Sequence, residues 1–256
     1  MKILFVADLH YALKQFDWLA ANAAGHDAVV IGGDLLDLSG VLEIDVQAVV
    51  VEKYLNRLRQ LGAVLVCSGN HDGDERNSAG ESVARWLKDS RAEGLHVDGD
   101  SVDVGETRIT VCPWWDGPVS RDELAAQLEA ARPPAGFSWV WIHHAPPDRS
   151  KVSWTGKRFG GDEQLVGWIN RFSPDCVLSG HIHNAPFYPD GSWIDRIGDT
   201  WVFNPGRQIG PCPTTLSIDL EAFIVEWTSL SGSEIRELTR RKPPGTPAAL
   251  TAAAGA

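Results

Sequence analysis

Short apolar runs, each stopping at a polar or glycine residue, constrain the fold of this chain most. Residues 2–7, 28–31 and 63–67 are such runs, built almost wholly of Ile, Leu, Val, Phe and Ala. Runs of this kind mark strands buried on both faces. Between the second and third, Val46, Val49, Val50, Leu55, Leu58 and Leu61 recur at helical spacing over residues 45–61, and Gly62 supplies a stop. Strand and helix alternating in this way predict a layered α/β domain.

The second half of the chain is richer in strand signals. Residues 101–104 and 107–112 flank Gly105 and Glu106 as a hairpin, and residues 139–142, 176–178, 201–203, 214–218 and 223–227 read as further strands. Helices are predicted over residues 122–131 and 162–172, the second with Asp162 as its N-cap. Two sheets with helices outside them follow. With no repeat at a period of about 20–50 residues and no Gly/Ser linker, residues 1–239 read as a single domain. Residues 240–256, with Pro243, Pro244 and Pro247 and no apolar periodicity, read as a disordered tail.

Charge and cysteine usage narrow the function. Lys plus Arg number 23 against 34 Asp plus Glu, a net charge of −11, which offers no basic face for a polyphosphate backbone and argues against a nucleic-acid polymer as partner. No apolar run approaches the roughly 20 residues needed to cross a bilayer. The apolar run after Met1 is cut by Asp8 and His10, short of a signal-peptide core of about 7–15 residues. Cys67, Cys112, Cys176 and Cys212 are dispersed with no CxxC pair, so neither a structural zinc knot nor a disulfide framework is indicated. A cytoplasmic location is expected, with Cys67 a buried strand thiol.

Five clusters carry the chemistry, each placed just after a strand candidate: Asp8-Leu9-His10, Gly33-Asp34-Leu35-Leu36-Asp37, Gly69-Asn70-His71-Asp72, His143-His144 and Gly180-His181-Ile182-His183. Ligands of open α/β sheets bind beyond the carboxyl ends of strands, so the clusters are expected to converge. Together they form an inventory of oxygen and imidazole donors without sulfur, which suits divalent Mn, Fe, Co or Zn. Asp34 is the natural bridge between two ions, and Gly33 beside it lets the chain turn closely around them.

The ordered set DxH, GDxxD, GNHD, strand-terminal His and GHxH, running from Asp8 to His183, resembles the calcineurin-like metallophosphoesterase superfamily. The resemblance implies a four-layer α/β/β/α sandwich of two mixed sheets flanked by helices. It implies a centre of two divalent metal ions, with Asp8, His10, Asp34 and His183 holding the first and Asp34, Asn70, His143 and His181 the second. In such a centre a metal-bridging hydroxide attacks phosphorus in line. His71 takes the role of acid and phosphate contact, oriented by Asp37. Asp72 reads as a buried acceptor shaping its turn, and His144 as facing either substrate or the rim.

The implied substrate is a small phosphate ester, a diester in preference to a monoester, because Leu38 and Asp72 stand where the GDxVDRG and GNHE blocks of protein phosphatases carry other residues. Two rivals share the fold: a repair nuclease, for which the chain is short and acidic, and a non-catalytic scaffold, which an intact His71 and full ligand set oppose. Asn204-Pro205-Gly206-Arg207 resembles a turn found in small bacterial members, in which Ser is commoner than Arg at the last position. Arg207 is therefore either a candidate phosphate or carboxylate contact, beside Asn70, His71 and His144, or part of a purely structural Pro-Gly turn. The 11 tryptophans read chiefly as core, with a pocket wall for a base or aromatic alcohol as the alternative for Trp114, Trp115, Trp154 and Trp193, which fall in loops or at strand ends. Arg149, Lys151, Lys157 and Arg158 read as a solvated loop or a substrate lid. His26 and His96 read as loop or surface residues.

Overall fold

Alternate residues of an extended chain face opposite ways, and in the strand Lys2–Val6 this sends Leu4 and Val6 to one core and Ile3 and Phe5 to another. Burial on both faces explains why the run contains almost nothing polar. The computed structural model describes residues 1–239; the tail expected over residues 240–256 lies outside the described residues.

Two large mixed sheets result. In the seven-stranded sheet the order is Gly232–Glu237, Ile224–Ser229, Thr215–Asp219, Lys2–Val6, Ala28–Gly32, Ala63–Cys67 and Leu95–His96. Lys2–Val6 runs parallel to Ala28–Gly32 and antiparallel to Thr215–Asp219, with Phe5 opposite Val30 and Leu216. The six-stranded sheet has the order Ile194–Ile197, Thr200–Phe203, Cys176–Leu178, Ser138–Ile142, Thr107–Val111 and Ser101–Val104. Its four inner strands are mutually parallel.

The sheets pack face to face through Ile3, Phe5, Val30 and Leu65 from one and Ile109, Val140, Ile142 and Phe203 from the other. Outside the first sheet lie the helices Leu13–Asn22 and Ile44–Leu58, which bury Phe16, Leu19, Val51, Leu55 and Leu58. Outside the second lie Pro118–Ala130 and Glu163–Phe172, packed on Trp139, Trp141, Val177 and Val202. The expected four-layer α/β/β/α order is present. Trp139 and Trp141 meet edge to face at 5.2 Å between ring centroids, and Trp141 meets Phe172 at 6.0 Å. Such contacts add roughly 0.5–1.5 kcal/mol beyond area burial.

Several local expectations shift. The helix predicted over residues 45–61 is Ile44–Leu58, and its buried face is Gln47, Ala48, Val51, Leu55 and Leu58, while Val46 and Val49 are 47% and 53% exposed. The reason is Gln47. Its Oε1 accepts from the Asp37 N–H at 2.8 Å, and its Nε2 donates to the carbonyls of Asp37 and Leu42 at 3.0 and 2.8 Å. Tethering the GDxxD loop turns the helix by one position from its most apolar face. The helix predicted over residues 122–131 starts earlier, at Pro118, because proline suits the first helical turn. Glu81, distant in sequence, accepts the Val119 and Ser120 N–H groups at 2.8 and 2.7 Å. Asp162 caps its helix as predicted, accepting from the Gln164 and Leu165 N–H groups.

His96 lies in the short edge strand Leu95–His96 and not in a loop. The basic stretch is a folded surface segment: Ser150 Oγ and the Lys151 N–H both donate to Asp195 Oδ2 at 2.8 Å, and Trp154 pairs with Phe159 across a bridge. Cys67, Cys112 and Cys176 are buried free thiols, and burial pushes Cys176 up to about 12. Among the described residues no helix is long and apolar enough to cross a membrane.

Candidate metal centre

The parallel strands of both sheets end at one edge, and backbone hydrogen bonds lace their loops together. The Asp8 N–H donates to the Gly33 carbonyl at 3.1 Å, His10 to that of Asp34 at 2.9 Å, and Tyr11 to that of Leu35 at 2.8 Å. The His181 N–H donates to the Asp8 carboxylate at 3.0 Å, tying the second sheet to the first. These crossings hold Asp8, His10, Tyr11, Asp34 and His181 at positive φ, between 41° and 67°. Non-glycine residues in that region carry about 1–3 kcal/mol of strain each. Gly33 at φ 86° has a further duty, because a Cβ there would lie 2.5 Å from His144 Nδ1.

Three groups of donor atoms, each spanning no more than 4.8 Å, lie at this edge: Asp8, His10, Asp34 and His183; Asp34, His144 and His181; and His10, Asp37 and His71. Asp34 joins the first two. Its Oδ2 lies 3.6 Å from His10 Nε2 and 3.2 Å from His144 Nε2, while Oδ1 accepts the His71 N–H at 2.9 Å. His183 Nε2 stands 3.2 Å from Asp8 Oδ1 and 3.1 Å from His10 Nε2. Asn70 Oδ1 is buried without a hydrogen-bond partner.

The geometry departs from the expected second donor set at one residue. His143 stands in none of the three groups; its Nδ1 bonds the Ala145 carbonyl at 2.9 Å, its Nε2 is buried without a hydrogen-bond partner, and burial lowers its pKa. His144 stands there instead, its Nδ1 donating to the Gly32 carbonyl at 2.7 Å so that Nε2 faces Asp34. Strand parity is the cause. Val140 and Ile142 face the core between the sheets and Trp139 and Trp141 the helices, so the next residue on the inner side is 144.

Electrostatics sort the imidazoles. Burial lowers His10 to about 4 against the pull of Asp34 and Asp8, and burial with the charge of His144 lowers His181 to about 4. Both offer lone pairs at neutral pH. Burial also opposes charge on His144, yet Asp34 and Asp8 outweigh it and lift it to about 9. Burial likewise opposes charge on Asp34, but His144 and His71 hold it well below the usual carboxylate range.

The remaining predicted residues surround this cluster. His71 Nδ1 accepts the Leu38 N–H at 3.3 Å, whereas Asp37 Oδ1 accepts the Ser39 N–H at 2.9 Å. The expected Asp37 bond to the His71 ring is thus replaced by a backbone donor. Arg207 donates its N–H to the His183 carbonyl at 2.9 Å, and its charge acts on His10. The guanidinium makes no hydrogen bond or ion pair among the described residues. Asn204 Nδ2 donates to the Val152 and Ile182 carbonyls at 3.0 Å, fastening the turn that carries Arg207. Trp114, one of the loop tryptophans read as core or as a pocket wall, stands with its ring 5.8 Å from His144 and 5.7 Å from His181.

Asp72 is fully buried and behaves as the predicted acceptor. Oδ1 takes the Leu35 and Leu36 N–H groups at 2.9 and 3.0 Å, and Oδ2 that of Gly69 at 2.8 Å. One carboxylate therefore joins the loops carrying Asp34 and Asn70. Each unpaired buried donor costs about 1–3 kcal/mol, so Asp72→Ala is expected to lower stability by roughly 3 kcal/mol or more in urea denaturation of the metal-free protein. A loss under about 1 kcal/mol would show that the three N–H groups find other partners.

Three unsatisfied buried atoms, Asn70 Oδ1, His143 Nε2 and His144 Nε2, amid carboxylate oxygens and imidazole nitrogens form a donor set that fits divalent metal ions. Comparisons with known proteins agree. A model of the calcineurin-like phosphoesterase family matches residues 1–185, which contain all five clusters. Among curated proteins no sequence matches. The fold is similar to that of TT1561 from Thermus thermophilus, with TM-score 0.57 and 14% identity over 92% of this chain and 98% of that one. It is also similar to purple acid phosphatase PPD1 from seeds of yellow lupin (Lupinus luteus), with TM-score 0.53 and 12% identity over 93% of this chain and 52% of that one. Identities this low speak for the fold alone. The family match over well more than half the sequence, on the residues that converge at one sheet edge, is what places the chain in the calcineurin-like phosphoesterase family.

Proposed function

We propose that the protein is a dinuclear metal-dependent phosphoesterase that hydrolyses small phosphodiesters. The observation that carries this reading is Asp34 Oδ2, which lies within 3.6 Å of His10 Nε2 and 3.2 Å of His144 Nε2, one carboxylate oxygen shared by two donor groups. Asp8, His10, Asp34 and His183 would hold one ion, and Asp34, Asn70, His144 and His181 the other. Bound there, two divalent ions polarise phosphoryl oxygens and acidify water enough to give hydroxide near neutral pH. The chain's own residues do the rest. His71 donates from Nε2 to a phosphoryl oxygen, and Arg207 supplies a cation on the His10 side.

The preference for diesters rests on space. A cleft of about 490 Å³ beside His181 and a cavity of about 240 Å³ beside Gly69 flank Trp114 on two sides. A diester has two substituents to place and a monoester one. The chain's charge of −11 keeps long polyanions off its surface, so the substrate is small.

The test is metal analysis after Mn²⁺ loading together with hydrolysis of bis(p-nitrophenyl) phosphate and p-nitrophenyl phosphate. Two ions per chain and a higher kcat/KM for the diester are expected. His144→Ala is expected to lose one ion, and His143→Ala to keep both. Protein that holds no metal and cleaves neither ester would be a scaffold of this fold.

A further inference from the structure

Apart from the metal-ligating cluster, the described residues contain one buried carboxylate oxygen without a hydrogen-bond partner, Oδ2 of Asp98. Asp98 is 2% exposed, and its Oδ1 accepts the Ser68 N–H at 2.8 Å. It lines a cavity of about 240 Å³ together with Ser68, Gly69, Lys88 and Trp114. Two of the lining residues adjoin the metal-ligating cluster. Gly69 immediately precedes Asn70 in the chain, and the Trp114 ring lies 5.8 Å from that of His144.

We propose that this cavity is a subsite for a guanine base, belonging to a nucleotide ester whose phosphate lies on the metal-ligating cluster. The proposal rests on the phosphoesterase reading above and names the substrate class for it. Guanine presents two adjacent N–H donors, N1–H and the 2-amino group, with the O6 acceptor next to them. An ionised carboxylate accepts two parallel N–H bonds; the Ser68 N–H and side chain both hydrogen-bond the Asp98 carboxylate, and Oδ2 is the oxygen left without a partner. Burial raises Asp98 to about 6, with the hydrogen bonds from the Ser68 side chain and N–H, and after them the charge of Lys88, acting the other way. The Lys88 ammonium makes no hydrogen bond or ion pair among the described residues, and a lysine is a common donor to guanine O6.

Other bases fit this pair of groups less well. Adenine places a lone pair at N1, where guanine has a hydrogen, and so meets the carboxylate acceptor to acceptor. Hypoxanthine keeps N1–H and O6 but lacks the 2-amino donor. Trp114 adds an aromatic wall for the flat ring. The volume lies below the roughly 300–1,000 Å³ of drug-sized sites, which leaves room for a fused-ring base and keeps the sugar and phosphate outside, toward Asn70.

The experiment compares kcat/KM for the p-nitrophenyl esters of guanosine, inosine and adenosine 5′-monophosphates, each divided by the value for bis(p-nitrophenyl) phosphate. The guanine ester is expected to exceed both others by about tenfold or more. In Asp98→Asn, whose amide oxygen still accepts the Ser68 N–H, the guanine-to-inosine ratio is expected to fall to about one. Lys88→Met is expected to lower the guanine and inosine values together, since both bases carry O6. Guanine and inosine esters within twofold of each other in the unmodified protein, or a ratio unmoved by Asp98→Asn, would overturn the proposal. If no ester is cleaved, the phosphoesterase reading fails, and equilibrium dialysis of GMP against IMP on the Mn²⁺-loaded protein decides the guanine subsite by itself: tenfold tighter GMP supports it and equal binding overturns it.

Discussion

Asp34→Ala is expected to empty the centre of metal and to lower kcat/KM by about a thousandfold or more. Oδ2 of this residue lies nearer to both His10 and His144, at 3.6 and 3.2 Å, than Asp8 Oδ1 does, at 3.9 and 4.0 Å, and Oδ1 holds the His71 N–H. Its removal therefore undoes both donor groups and loosens the loop that carries Asn70. Metal binding by the unmodified protein is expected to depend on pH. In the metal-free protein His144 is raised to about 9, so below that pH an ion must displace its proton, and affinity should improve about tenfold per unit of pH until the site is deprotonated. His10 and His181, lowered to about 4, add no such slope above neutrality.

Linkage fixes the sign for stability as well. A histidine raised from 6.5 to about 9 stabilises the metal-free fold fully below about 6.5, and that contribution is lost as pH rises through about 9. In Asp34→Ala the main charge lifting His144 is gone and burial dominates, so this loss of stability should flatten. Metal analysis of the variant checks the loss of ions, and calorimetric titration of the unmodified protein between about pH 6 and 9.5 checks the slope in metal affinity. A variant that retains two ions would remove Asp34 from the bridging role.

The parts of this site legible in the sequence are those where chemistry restricts residue type. Asp8, His10, Asp34, Asn70, His181 and His183 follow apolar runs that are themselves readable, because a strand buried on both faces tolerates little else. The choice between His143 and His144 turned on a different quantity, the face of the strand Ser138–Ile142 that looks inward. Parity places 140, 142 and 144 together, but the sequence does not say which set faces the other sheet, since Trp139 and Trp141 are as apolar as Val140 and Ile142.

Long-range polar contacts were hidden for another reason. Gln47 in the core, Glu81 on a distant helix start and the Leu38 N–H on the His71 ring satisfy backbone and ring groups brought near only by folding. No periodicity announces them. The positive φ angles of Asp8, His10, Tyr11, Asp34 and His181 belong to the same class. They are imposed by hydrogen bonds between loops of different strands and leave no mark on local propensity.

The contact from Leu38 leads to the other large effect, His71→Ala, which is expected to keep both ions and to lower kcat by about 10²–10³. Under the proposed function this contact favours the role of phosphate contact over that of acid, the two roles the resemblance implied for His71. A ring nitrogen that accepts an N–H, as Nδ1 does from Leu38 at 3.3 Å, carries no hydrogen while it does so, which leaves Nε2 as the donor of the ring. A neutral imidazole donates a hydrogen bond well but surrenders its remaining proton poorly, because an imidazolate would result. His71 thus acts on the phosphoryl oxygen, where charge accumulates for every ester alike. The rate loss in His71→Ala should then be the same for p-nitrophenyl and alkyl leaving groups, and the dependence of rate on leaving-group pKa should keep its slope. Full protonation of the ring would instead put two hydrogens in conflict at the Leu38 N–H, and would let Nε2 protonate a departing alkoxide. In that case the variant would lose far more on alkyl esters, and a steeper slope would return His71 to the role of general acid.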